Sequence, residues 1–154
     1  MNENEDVVLE SLKRADHLIN VSLKYTKTVD VIRNTILRLL EACDILIAEG
    51  LEYKKSKKKI REVPKTPKER ADLLYKVFKK KKNIKAYLDF FHLLRRIKNS
   101  SYGKKDEYRK NVAMLLVDDK DNYTEINVEM LKSFYSKTNE FVEFMREWIN
   151  SGKE

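Results

Sequence analysis

A chain of 154 residues fits one domain with a real core, and its 3 glycines, 2 prolines and 38% charged residues are typical of long solvated helices. This composition argues against a sheet-rich fold, which needs many turns, and the single cysteine, Cys43, excludes a disulfide within the chain. The formal charge of +8 favours attraction to polyanions over attraction to cationic partners.

The cellular compartment is predicted from the same features. Residues 1–6 are acidic, whereas a signal peptide starts with basic residues, and no apolar run approaches the roughly 20 residues that a membrane span needs. A lone cysteine is typical of a reducing, intracellular setting. We therefore expect a cytoplasmic protein with no membrane partner.

The first third of the chain predicts two antiparallel helices. An apolar stripe predicts a helix over residues 5–25, and Thr28 is placed to cap the helix that follows. Residues 29–51 repeat apolar side chains with the 3.6-residue helical period, over an arc wide enough to contact neighbours on several sides. We predict that this second helix is the centre of a bundle, paired with the first through a short link.

A basic connection is predicted next. Residues 54–66 are dense in charge and poor in apolar side chains, which is typical of a mobile loop. Thr66 and Pro67 form a helix-start signal, and Glu69 is placed to complete a capping box. A third helix is therefore expected to begin at Pro67.

The second half of the chain predicts two more helices and one hairpin. A break near Asn83 is expected to separate the third helix from a fourth, which ends at a turn over residues 99–103. Apolar runs on both sides of a polar turn predict a small β-hairpin near 113–126, although residues 107–114 are also compatible with a short helix. Asn127 is placed to cap a last helix with an apolar seam over 131–148. The predicted fold is thus an all-α, up-and-down bundle of four to five helices with this hairpin, in one domain spanning 1–154.

Basic residues are concentrated in two runs, 54–61 and 79–82. These runs contribute ten positive charges, and subtracting ten from the formal +8 leaves −2 for the rest of the chain. If the helices alternate in direction, the second and fourth helices end at one pole, and residues 79–82 lie at the opposite pole. The basic residues predicted to meet at the first pole are Lys54, Lys55, Lys57, Lys58, Lys59, Arg61, Arg95, Arg96, Lys104 and Lys105.

A pole of this kind binds phosphate backbones through counterion release, with little sequence preference. Tyr102 and Tyr108 lie nearby in sequence and are candidates for stacking on bases, with Arg109 as a further ligand-facing residue. The competing interpretation is a solvated lysine loop without a ligand, and tyrosines at helix ends are more often packing residues.

Four segments together resemble small prokaryotic and archaeal proteins of the HEPN type. Beyond the paired N-terminal helices, the resemblance rests on Leu93-Leu94-Arg95-Arg96, Tyr102-Gly103, Glu107-Tyr108-Arg109-Lys110-Asn111-Val112 and Ile126-Asn127-Val128. It implies a helical bundle, commonly a homodimer, with roles in RNA cleavage, nucleic-acid or nucleotide binding, or pairing with a nucleotidyltransferase. Ribonuclease members place an arginine four to six residues before a histidine, and neither His17 nor His92 has one at that spacing.

Other chemistries find little support in the sequence. Asp89 and His92 lack the second matching pair that a bundle metal site needs, and no glycine-rich phosphate loop is present, so no metal and no cofactor are predicted. We therefore favour a non-enzymatic, dimeric binding module that engages RNA, DNA or an acidic partner protein through the basic pole. The alternatives are a HEPN-like ribonuclease or nucleotide-processing enzyme using Arg95, Tyr102, Tyr108 and Arg109, and a structural subunit that binds a partner through the 131–148 seam.

Overall fold

The computed structural model describes residues 3–118 and 120–152, which form five helices and a small sheet. The helices are α1 (Glu3–His17, continued by a π-helical turn at Leu18–Ser22 and by Leu23–Tyr25), α2 (Val29–Ser56), α3 (Pro67–Val77), α4 (Lys81–Asn99) and α5 (Val128–Ser151). The strands are β1 (Tyr102–Lys105), β2 (Ala113–Val117) and β3 (Tyr123–Asn127). The predicted helical bundle is confirmed, whereas the all-α classification is too narrow because three strands are present.

Helix α2 lies at the centre of the core, as its wide apolar arc predicts. Ile32, Ile36, Leu39, Leu46 and Ile47 are fully buried along it, and α1, α3, α4 and α5 all contact it. Each such side chain contributes roughly 1.5–3 kcal/mol when it leaves water, so this face provides much of the driving force for folding. Within residues 3–118 and 120–152, every helix is too short or too polar to cross a lipid bilayer.

The apolar seam of α5 packs along α2. Leu131, Phe141 and Met145 are fully buried, and Gly50 of α2 permits close contact, since a Cβ added there would lie 2.5 Å from Met145 Cε. The prediction that this seam packs along another helix is confirmed. Because internal packing buries the seam, it is not the partner surface that the structural-subunit hypothesis requires.

The helices do not simply alternate in direction, and this corrects the predicted geometry. Arg70, near the start of α3, pairs with Asp44 in the middle of α2 at 3.1 Å, and Phe78, just after α3, packs on Trp148 near the end of α5. Helix α3 therefore runs parallel to α2 and ends level with it. Helix α4 then returns antiparallel to α2, so these two helices end at opposite poles.

The connection between α2 and α3 explains this arrangement. Helix α2 continues to Ser56, which shortens the predicted loop of 54–66 to residues 57–66. Ile60 and Val63 are half-buried and pack against the core, so the connection runs back along α2 before α3 begins. The mobility of this segment stays a prediction.

Local helix signals are formed as the sequence predicts. Thr28, Thr66 and Asn127 each accept the backbone N–H of the residue three positions later, at 3.4, 3.2 and 2.9 Å. The break between α3 and α4 lies at residues 78–80 instead of near Asn83, which is in the first turn of α4. Phe78 is buried in an extended conformation, and anchoring this ring in the core ends α3.

Three strands form one antiparallel sheet in the order β1-β2-β3. The predicted hairpin is β2–β3, and its register sets Met114 opposite Ile126, with both side chains buried. Strand β1 was expected to be part of a turn, and it pairs with β2 so that Gly103 lies opposite Leu115. Residues 107–112 form turns, not the alternative short helix, and Asp119 of the polar turn lies outside the described residues.

Candidate nucleic-acid interface

The basic residues predicted to meet at one pole lie at two ends of the molecule. Lys54 places its Nζ 5.3 Å from the centroid of the Trp148 ring, at the end of α2. Arg33, near the start of α2, donates to the carbonyl of Lys98 at 3.3 Å. Arg33 and Lys54 are 21 positions apart in α2, which corresponds to about 30 Å of helix. Arg95 and Arg96, in the last turns of α4, are therefore not close to the 54–61 run, and the predicted single pole is wrong.

The structure instead brings the two lysine runs together. Phe78, which directly precedes residues 79–82, has its ring centroid 4.5 Å from that of Trp148, the same ring that Lys54 contacts. The run 79–82 was predicted at the opposite pole, and it lies beside 54–61 because α3 is parallel to α2. We call the exposed basic residues at this end the lysine pole: Lys55, Lys57, Lys58, Lys59, Arg61, Lys79, Lys80, Lys81 and Lys82.

Lys54 itself is a correction to the predicted site. Lys54 is 1% exposed, so its side chain cannot reach a phosphate backbone. Its ammonium lies against the Trp148 ring, a cation–π contact that suits a lysine stem buried in a core. Lys54 therefore helps to hold α2 against α5 and is not part of the binding surface.

Members of the lysine pole also have structural contacts, as Lys81 and Lys57 show. The Nζ of Lys81 donates to the carbonyls of Tyr75 and Lys76 at 3.0 and 3.1 Å, which satisfies orphan carbonyls at the end of α3. Lys57 lies 5.7 Å from the centroid of the Tyr53 ring. The C-terminal end of a helix favours nearby cations, so part of this charge stabilises the ends of α2 and α3.

Lys58 occupies an unusual backbone conformation. Helix α2 ends in a Schellman motif, in which the N–H of Lys59 donates to the Lys54 carbonyl at 3.0 Å and that of Lys58 to the Lys55 carbonyl at 2.9 Å. The motif requires a left-handed residue, usually glycine, and Lys58 fills that position with φ of 59°. A lysine therefore stands where glycine would be less strained.

The other predicted site residues lie toward the opposite end of α2. Lys105 donates to Glu125 at 2.6 Å, which raises the pKa of Lys105, and Lys104 lies 3.9 Å from Glu107. Both lysines therefore have their charge largely offset by a neighbouring carboxylate. Arg95 and Arg96 form no ion pair within residues 3–118 and 120–152.

The aromatic candidates are separate from the lysine pole. The guanidinium of Arg33 lies 5.5 Å from the centroid of the Tyr102 ring, which occupies one face of that tyrosine. Tyr108 is 74% exposed, and its backbone N–H donates to the Lys27 carbonyl at 2.6 Å. Arg109 follows it and is exposed. Neither tyrosine is placed to stack on a base held at the lysine pole.

Sequence reasoning missed a basic groove beside the end of α4. It has a volume of about 680 Å³ and combines Arg95 and Arg96 with Lys68, His92 and Ser101. The sequence signal was the Arg95-Arg96 pair followed by Ser100-Ser101 at a helix end. Lys68, in the first turn of α3, lines the same groove as these arginines because α3 runs parallel to α2.

Residues considered for catalysis have ordinary surroundings. Cys43 is fully buried, and burial raises the pKa of its thiol to about 12, so it behaves as a small apolar core residue. Asp89 forms an ion pair with Lys85 at 2.8 Å, and His17 is exposed on α1. In the part of the chain that the structure describes, no three His, Cys, Asp or Glu side chains are grouped as metal ligands.

Comparison with known proteins adds no family assignment. No protein-family model matches the chain, and no curated protein or solved structure is significantly similar to it. The resemblance to HEPN proteins therefore stays a prediction from the sequence pattern.

Proposed function

We propose that this protein is a non-enzymatic module that binds the phosphate backbone of RNA or DNA through the lysine pole. The observation that supports the proposal most directly is the shared contact of Lys54 and Phe78 with Trp148, which joins two lysine runs at one end of the bundle. Nine exposed basic residues result, and neither run contains an acidic residue. The formation of a homodimer stays a prediction.

The chemistry of the lysine pole favours backbone binding over base recognition. Lysine ammonium groups bind phosphates as mobile point charges, and their binding free energy comes mainly from released counterions. Among the pole's neighbours, Tyr75 is 40% exposed, but Lys81 lies 4.8 Å from its ring centroid and covers it. Binding with little sequence preference and steep salt dependence is therefore expected.

Strain at Lys58 provides a second argument. A non-glycine residue in the left-handed region costs free energy, and such costs are concentrated at functional positions. Compared with glycine, lysine at φ 59° lowers the stability of the fold and adds one positive charge at the end of α2. A loop whose only role is solvation gains nothing from this exchange, because glycine satisfies the motif better.

The test compares two variants of equal charge by fluorescence anisotropy with a labelled single-stranded RNA that carries a 5′-hydroxyl. The first variant changes Lys55, Lys59, Lys80 and Lys82 to Gln, and the control changes Lys13, Lys98, Lys110 and Lys120 to Gln; all eight lysines are exposed. We expect the first variant to bind at least about tenfold more weakly at about 100 mM salt, and the slope of log K against log salt to fall by roughly 3. The control is expected to stay within about twofold of wild type.

Four results would contradict the proposal. Equal losses in both variants mean that net charge, not the lysine pole, determines binding. Salt-independent binding, or selective capture of an acidic protein in place of RNA and DNA, identifies a different partner. Cleavage of the RNA that disappears in Tyr108→Phe or Arg109→Gln, with the fold intact, establishes the alternative ribonuclease.

A further inference from the structure

The groove beside the end of α4 differs from the lysine pole in shape and chemistry. Residues in the last turns of α4 and the first turn of α3, together with Val117 and Asp118 at the end of β2, line an open groove of about 680 Å³, within the size range of small-molecule sites. Its main polar side chains belong to Lys68, His92, Arg95, Arg96, Ser101 and Asp118. We call this feature the arginine groove.

The arginine groove has an excess of positive charge. Lys68, Arg95 and Arg96 are permanent cations, and within residues 3–118 and 120–152 none of them forms an ion pair. Among the described residues that line the groove, Asp118 is the one carboxylate, and it accepts the backbone N–H groups of Lys120 and Asn122 at 2.8 and 2.9 Å. Asp118 is thus engaged within its own turn, and the side chains of Lys68, Arg95 and Arg96 line the groove without a hydrogen bond or ion pair in the described part of the chain.

The carbonyl end of a helix normally repels an anion, and here that effect is reduced. The hydroxyl of Ser100 donates to the Arg96 carbonyl at 2.5 Å, and the N–H of Ser100 donates to the Ile97 carbonyl at 3.3 Å. Arg33 donates to the Lys98 carbonyl, also at 3.3 Å. Three terminal carbonyls of α4 are therefore capped by donors, which offsets the negative end of the helix dipole.

From this arrangement we infer that the arginine groove binds the terminal phosphate of a nucleotide. A phosphomonoester has three terminal oxygens and up to two negative charges, which suits a groove lined by two guanidinium groups and one ammonium. A carboxylate, with two oxygens and one charge, would leave donors unused. The phosphate comes either from a free nucleotide or from the phosphorylated end of a nucleic-acid strand.

This inference is independent of the proposed function, because the lysine pole lies at the other end of α2. It is tested by isothermal titration of the whole chain with AMP, adenosine, and short RNA strands that carry either a 5′-phosphate or a 5′-hydroxyl. We expect AMP or the phosphorylated strand to bind, adenosine not to bind, and the hydroxyl strand to bind only through the lysine pole. Tighter binding of the phosphorylated strand than of the hydroxyl strand identifies a strand end as the ligand, and binding of AMP without that difference identifies a free nucleotide.

The variants separate the arginine groove from net charge. Arg95→Gln with Arg96→Gln is expected to weaken phosphate binding at least about tenfold, because charge-assisted hydrogen bonds are lost. The control changes Lys13 and Lys110, which are exposed and belong to neither the arginine groove nor the lysine pole, to Gln and is expected to bind AMP like wild type. If the double variant unfolds, Lys68→Gln and Arg96→Gln, each at an exposed position, make the same test singly.

The inference is overturned if AMP does not bind at about 10 mM and the phosphorylated strand binds no more tightly than the hydroxyl strand, or if the groove variants bind both ligands like wild type. Failure here leaves binding of the hydroxyl strand unchanged, so it is distinguishable from failure of the lysine pole. Conversely, loss of hydroxyl-strand binding in the lysine-pole variant does not affect AMP binding.

Discussion

At the scale of single residues, Lys58 combines a strained backbone with an exposed charge. Its φ of 59° belongs to the left-handed region, where a side chain costs about 1 kcal/mol relative to glycine. We expect Lys58→Gly to raise the free energy of unfolding by about 1 kcal/mol and the melting temperature by about 2–4 °C. Chemical and thermal denaturation followed by circular dichroism measure both quantities.

Lys58→Ala is the matched control. It removes the same charge but keeps a Cβ in the left-handed conformation, so its stability should remain within about 0.5 kcal/mol of wild type. Equal stabilisation by alanine and glycine would mean that charge repulsion, not backbone strain, is the cost at this position. Both variants should weaken RNA binding equally, because each removes one cation from the lysine pole.

Lys54 shows that a run of basic residues can include a buried one. It follows Ile47 by seven residues and Leu51 by three, so the helical period places it on the buried face of α2. The compositional interpretation grouped it with its exposed neighbours and ended the helix before it. Extending the helix to Ser56 and applying the same period would have predicted its burial.

At the scale of elements, the β1–β2 connection holds the start of α2. Glu107 Oε2 accepts the backbone N–H of Val29 at 2.8 Å across 78 residues of sequence, and its side chain is 23% exposed. A carboxylate at a helix N-terminus gains from both the hydrogen bond and the dipole. We expect Glu107→Gln to lower the free energy of unfolding by about 1–2 kcal/mol, measured by urea denaturation.

Glu129→Gln provides the control for this change. Glu129 also lies in the first turn of a helix, α5, but its side chain is 83% exposed and its ion pair with Lys132 spans 3.6 Å. Its loss should cost less than about 0.5 kcal/mol. If the two variants lose the same stability, the long-range contact of Glu107 adds nothing beyond a general helix-end effect.

Helix starts were predictable from the sequence where they depend on a capping residue a few positions away. Thr28, Thr66 and Asn127 cap helices through bonds to residues three positions away, so the sequence alone locates those helix starts. Strand β1 was not predictable in this way, because Tyr102–Lys105 is mostly exposed and forms a strand only by pairing with β2. The direction of α3 was equally inaccessible, since it depends on where Ile60 and Val63 pack against the core.

At the scale of the whole molecule, one short helix decides the distribution of charge. The direction of α3 brings 79–82 to the end of α2 and sends Arg95 and Arg96 toward its start. The presence of strongly basic segments was therefore predictable from composition, but which of them share one end of the molecule was not. The length of a connection alone does not show whether the next helix runs antiparallel to the preceding one or starts beside its middle and runs parallel to it.

The lysine pole should also make the fold sensitive to ionic strength. Ten basic residues lie in its two runs while the rest of the chain sums to −2, so repulsion within one end opposes folding at low salt. Raising salt from about 10 to 150 mM shortens the Debye length from about 30 to 8 Å and screens this repulsion. We expect the melting temperature of wild type to rise by a few degrees, about 2–4 °C, over this range, because the screened repulsion amounts to about 1 kcal/mol.

The variant with Gln at positions 55, 59, 80 and 82 should melt higher than wild type at about 10 mM salt and respond much less to added salt. The charge-matched control at 13, 98, 110 and 120 removes as many cations from separate surfaces, so it should keep most of the wild-type salt response. A fall in melting temperature with salt, or equal responses in both variants, would show that favourable helix-end interactions of these lysines outweigh their mutual repulsion. Such a result would remove the argument that the cations are held together at a cost to stability.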